Sequence, residues 1–258
     1  MAVFKKNILY LTIGLLAGLM IGFLSANMVG RARLEQAQMA SGTGSRPEVQ
    51  SASGKDAASA NGAQKKPPVT EEQIREAIAK ADSRPDDIAL QRNFGRALYQ
   101  YANQTQDPRY LEDVARFLKR VYDSNPKDRE ITVELANALF DIGQTTVPEG
   151  FSKARVYYLK ALEMKPDDAS VHTDLGLTYY LGQPSDPQRA IAEYRKALQL
   201  APRDERALQS LATALISTGN REEAQRRIEE LRSVNPDNPA LSNLRAQLAQ
   251  SKNATAQE

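Results

Sequence analysis

Apolar side chains follow two different rules along this sequence. Between Lys6 and Arg31 they run without a single charge, over the 24 residues from Asn7 to Gly30. From Thr70 onward they recur every three or four positions, the spacing of a helix with one buried face. Proline cuts this second pattern at Pro85, Pro126, Pro166, Pro202 and Pro236, at spacings of 41, 40, 36 and 34 residues. Each proline ends a helix, because it lacks an N–H and its ring clashes with the preceding turn. The acidic or amide residue just after it can cap the next helix. Every interval holds two helical patterns split by a turn. The pattern therefore predicts an all-α array that covers residues 70–250, end helices included, around a block of four helix pairs. A lone helix precedes it ("TEEQIREAIAKAD", starting at Thr70 with a carboxylate-rich first turn), and another follows ("NPALSNLRAQLAQSK", with Leu241, Leu244 and Leu248). Polar-faced end helices are what a stacked array needs. Residues 251–258 are expected to be a flexible tail.

The uncharged run predicts a different element. At about 1.5 Å per residue it extends roughly 36 Å, enough for a hydrocarbon core about 30 Å thick. Residues 7–30 are thus expected to span a membrane once, behind a short tail of residues 1–6. A cleaved signal fits less well. Its apolar centre is usually about 7–15 residues with small residues at the cut, whereas Ile8–Leu24 is longer and Leu24-Ser25-Ala26 opens with a bulky side chain. Lys5, Lys6 and the α-amino group before the span face Arg31 and Arg33 after it. The amine and the short tail tilt the orientation to N-terminus inside, which puts the array outside the inner membrane. Gly14, Gly18 and Gly22 fall on one face of this helix. They could seat a second helix, in a partner or in another copy of the chain, or reflect only that glycine is common in membrane helices.

Residues 31–69 read as a disordered linker. From Gln36 to Pro68 the chain is rich in Ala, Ser, Gly and Gln, with almost no large apolar side chain, so ordering it cannot be offset by burial. Its typical reach is roughly 30 Å, a tether that leaves the array close to the bilayer.

Composition narrows the chemistry. The 258 residues carry 34 Lys and Arg against 32 Asp and Glu, a net charge of +2 that offers no reason to expect nucleic acid. With no cysteine, disulfides, thiolate metal sites, covalent haem attachment and a lipoprotein anchor are excluded. The one histidine, His172, stands where a packing side chain is expected. No phosphate loop, paired-carboxylate site or metal cluster is legible. The expectation is a protein without cofactor and without enzymatic activity.

The third interval carries a pattern that resembles the tetratricopeptide repeat family. In "VHTDLGLTYYLGQPSDPQRAIAEYRKALQLAP", Leu175-Gly176 and Tyr179 match a first helix, and Ala190, Tyr194, Ala197 and Pro202 match a second. Phe94-Gly95, Leu135-Ala136 and Leu211-Ala212 open the same register in the other three units. The chain departs from the family in lacking tryptophan, so Gln91, Thr132, His172 and Leu208 replace the opening aromatic. Its first three units also carry extra residues between their helices.

The resemblance implies a groove, lined by the first helix of each pair, that holds a peptide or a partner's helix. Carried over position by position, its lining is Arg92, Arg96 and Tyr99; Val133, Asn137 and Phe140; Thr173, Leu177 and Tyr180; Arg206, Gln209 and Thr213. Arg92 and Arg96, four apart on one face, repel each other unless an anion sits nearby, from a ligand or from a neighbour such as Glu134. Asn137 could fix a peptide backbone. Tyr99, Phe140 and Tyr180 could form a stacking face or belong to the core. The carboxylate clamp of chaperone-docking members is not matched, since Glu134, Ser170 and Asp174 stand at three of its positions. The layout of anchor, linker and array is similar to the membrane-anchored subunits of bacterial cytochrome c maturation. It implies a protein-binding adaptor. The alternatives are an ancillary subunit of a secretion or envelope-assembly complex, and a homo-oligomeric scaffold without a peptide ligand.

Overall fold

A computed structural model describes residues 70–255. The expected membrane span over 7–30, with Gly14, Gly18 and Gly22, and the linker of 31–69 lie outside the described residues. The chain divides into two units, residues 1–77 and 78–258. Among the described residues no helix is long and apolar enough to cross a membrane.

Helix α1 (Glu71–Asp82) begins in the first unit. Its start is a reciprocal box: the Thr70 N–H donates to Gln73 Oε1 at 3.0 Å, and the Gln73 N–H donates to Thr70 Oγ1 at 3.3 Å.

The second unit continues through α2 (Ile88–Thr105), a 3₁₀ turn (Pro108–Tyr110), α3 (Leu111–Ser124), α4 (Arg129–Thr145) and α5 (Glu149–Met164). It ends with α6 (Ala169–Leu181), α7 (Pro187–Leu200), α8 (Glu205–Ser217), α9 (Arg221–Val234) and α10 (Ala240–Thr255). Four aspartates start the first helices of the four pairs. Asp87, Asp128, Asp168 and Asp204 accept from the backbone N–H groups of Leu90, Ile131, Val171 and Ala207 at 2.8–3.2 Å. Each such cap stabilises its helix by about 1 kcal/mol. Each lies two residues after a proline, as the interrupted pattern predicts.

The pairs are α2–α3, α4–α5, α6–α7 and α8–α9, each stacked on the next, with α10 against α8 and α9. Leu118, Val121, Tyr158, Ala161, Tyr194, Ala197, Ile228 and Leu231 from the second helices are almost fully buried. The small residues at the crossing points let the helix backbones approach. A Cβ placed on Gly176 would sit 2.5 Å from the Tyr194 ring.

Three details differ from expectation. The extra residues of the first two units do not all form loops: α2 has 18 residues and α4 has 17, against 13 in α6 and 13 in α8. Nothing in "YANQT" or "DIGQT" breaks a helix, so part of each insertion becomes an added helical turn. Three of the four positions that lack an aromatic, Gln91, Thr132 and His172, are filled by bonded polar groups, and Leu208 packs in the core. Gln91 is buried and donates through Nε2 to the carbonyls of Ala81 and Arg84, both at 2.8 Å. His172 sets Nδ1 2.7 Å from Glu193 and Nε2 2.9 Å from the Pro166 carbonyl. Finally, α10 continues past Ser251 to Thr255, because no proline or glycine follows to end it.

Candidate functional site

The site is built from the first helices α2, α4, α6 and α8. Their hydrogen bonds run from each repeat to the next. Arg92 on α2 donates through Nη2 to Asp128, the cap of α4, at 2.7 Å. Arg96, one turn further, reaches Glu134 at 2.8 Å and Glu130 at 3.1 Å. Tyr99, nearly one turn beyond that, donates its hydroxyl to Asp141. Three residues along one face of α2 thus bond to the cap, the first half and the last half of the next first helix. The pattern repeats downstream where Arg129 pairs with Asp168, the cap of α6, and it reverses where Arg206 on α8 pairs back to Asp174 on α6.

The anion that Arg92 and Arg96 need is therefore internal. Burial alone would raise the Asp128 carboxyl, but Arg92 and the Ile131 N–H hold it below the usual carboxylate range. Glu134 goes the other way. Its burial pushes the carboxyl up even though Arg96 pulls it down, and Glu130 adds to the rise.

The remaining expected lining residues fall into two groups. Val133, Asn137, Tyr180 and Gln209 are half-buried on the face. Asn137 accepts at Oδ1 from the Tyr158 hydroxyl at 2.8 Å. Burial keeps that phenol protonated far up the pH scale, so it is a fixed donor. The chemistry left to Asn137 is donation through its side-chain NH₂. Burial raises the Tyr180 phenol, and Ser217 on α8 eases that rise. By contrast, Phe140, Thr173, Leu177 and Thr213 are buried. Phe140 packs edge-on against Phe151 at 5.3 Å. Thr173 and Thr213 turn their hydroxyls back to the carbonyls of Ala169 and Gln209, each at 3.0 Å. These four contribute to packing beneath the face.

Apart from Glu134, sequence reasoning missed the acidic half of the face. Asp128 and Asp168 were legible as caps, but their second role was not. The signal is an arginine in one repeat followed by a cap aspartate in the next, 36 residues on for Arg92 and 39 for Arg129.

Two models of the tetratricopeptide repeat match the chain, over residues 149–205 and 183–248. No curated protein matches it. Among solved structures, a crystal structure of MamA is 20% identical, with a TM-score of 0.52, covering 64% of this chain and 87% of that one. YrrB, described as a TPR protein with an unusual peptide-binding site, is 14% identical, with a TM-score of 0.50, covering 68% of this chain and 84% of that one. At these identities the likeness is one of fold. Residues 149–248 match tetratricopeptide repeat models, and the four pairs α2–α9 form an all-helical solenoid of that fold.

Proposed function

We propose that this chain is an adaptor that binds a peptide or helix of another protein on the face of its first helices. The observation that carries this is the row of half-exposed side chains across α2, α4, α6 and α8, from Arg96 and Tyr99 through Val133 and Asn137 to Gln209. Inter-repeat bonds hold Arg96 and Tyr99, and the Tyr158 hydroxyl within the same pair holds Asn137, before any ligand arrives. Preorganised groups lose little entropy on binding. The likeness to a peptide-binding repeat protein supports the same reading.

We place the array beside a membrane, tethered by residues 7–30 through the linker of 31–69, on the extracytoplasmic side. The uncharged run and the positive residues around it support this. A tether raises the local concentration of array and membrane-bound partner, and Gly14, Gly18 and Gly22 offer a helix-packing face. The pathway we favour is cytochrome c maturation, on the layout of anchor, linker and array.

In-cell photo-crosslinking from position 137 tests the groove, with position 196, on the second helix α7, as control. A discrete adduct from 137 alone is the expected result. Equal labelling from both positions, or no adduct from 137, rules out the first-helix face as the working surface.

A further inference from the structure

The chain is close to neutral overall, yet its layer of first helices is not. Counted with their N-caps, the first helices α2, α4, α6 and α8 carry four arginines against nine carboxylates. The second helices α3, α5, α7 and α9, counted the same way, carry thirteen Lys and Arg against eleven carboxylates. The excess of negative charge therefore lies on the layer that bears the half-exposed row.

All four arginines of that layer already face carboxylates of the chain: Arg92 with Asp128, Arg96 with Glu130 and Glu134, Arg129 with Asp168, Arg206 with Asp174. A ligand carboxylate would have to displace one of these partners and leave it facing a second negative charge. A ligand cation meets the opposite situation. Glu130 shares one guanidinium with Glu134, and its side chain is 68% exposed. Glu205 accepts from two neutral amides, Asn235 and Asn238, both at 2.8 Å, so its charge is bonded but not neutralised. An ionised carboxylate has about four acceptor sites, and one or two bonds leave room for a lysine or arginine. The rise of the Glu134 carboxyl has the same sense, since a nearby cation relieves it.

We infer that the segment bound on the first-helix face is a cationic peptide, with lysine or arginine meeting the carboxylates at the starts of α4 and α8. This rests on the adaptor reading above. It also makes the face the reverse of the chaperone-docking clamp, which grips an acidic terminus.

The test uses the full chain in a non-ionic detergent. The probes are two peptides of equal length, alternating lysine–alanine and alternating glutamate–alanine, each carrying a benzophenone. The expected result is that the lysine peptide crosslinks to α2, α4, α6 or α8. Its binding should weaken roughly threefold to tenfold in the Glu130→Gln, Glu205→Gln double variant. Glutamine keeps the shape and the amide contacts, so folding is preserved. A Glu163→Gln, Glu229→Gln pair on the second helices should leave binding unchanged. If the glutamate peptide marks the first helices as strongly as the lysine peptide, the charge assignment is overturned and the groove reading stands. If neither peptide marks them, or the lysine peptide marks the second helices equally, the assignment is again overturned. The adduct from position 137 then decides the groove by itself.

Discussion

Asp128 faces two kinds of donor at once, and its behaviour with pH follows from that. It caps α4 through the Ile131 N–H and takes the Arg92 guanidinium from the previous repeat. A carboxyl held below its unfolded value in the folded state contributes stability above the unfolded value. That contribution disappears as pH falls through the lower, folded value. The loss should therefore develop below about pH 4. Asp128→Ala should cost about 1–2 kcal/mol at neutral pH, through the cap and the pair together. The gap between variant and wild type should shrink in acid, because protonated Asp128 loses the same interactions. Urea denaturation at neutral and acidic pH measures both, and a gap that stays constant with pH overturns the assignment.

At the scale of elements, α4 and α5 cross in close contact at Gly143 and Gly150. A Cβ on Gly150 would lie 2.3 Å from the Gly143 nitrogen and 2.5 Å from the Leu139 carbonyl oxygen. Both are backbone atoms, so no rotamer change makes room. Gly150→Ala should destabilise the array by about 2–3 kcal/mol or more, with α4 and α5 forced apart. Gly219 is the contrasting case. Its φ of 77° suits glycine, but nothing lies within 4 Å of an added Cβ. Gly219→Ala should cost only the backbone term, about 1–2 kcal/mol. Thermal melts of the two variants side by side separate crowding from backbone strain, and equal losses would show that the crossing tolerates a methyl group.

For the whole array, stability is a sum over pairs and the interfaces between neighbours. The end helix α10 buries Leu241 and Leu244 and lies against α8 and α9. Ending the chain after Asp237 removes that cover. Amide exchange should then quicken in α8 and α9 and stay near its original rate in α2 and α3, which do not touch α10. A uniform acceleration along the array would mean that it unfolds as one cooperative block.

The period of the array, its helix pairs, its caps and its polar end helices follow from the sequence alone, because each depends on spacing within a turn or on one proline and one acid. The face that Arg92, Arg96, Asn137 and Gln209 occupy came from the resemblance, whose lining positions carry over once the helical register is set. What those residues bond to was decided by stacking. Tyr99 meets Asp141 across 42 positions, and Asn137 meets Tyr158 across 21. The angle and offset between neighbouring pairs choose those partners. Gly143 and Gly150 show the same limit, for in the sequence they only flank a turn. Helical periodicity is a property of one strand of backbone. The internal neutralisation of the arginines on the first-helix face arises only when one repeat is laid against the next.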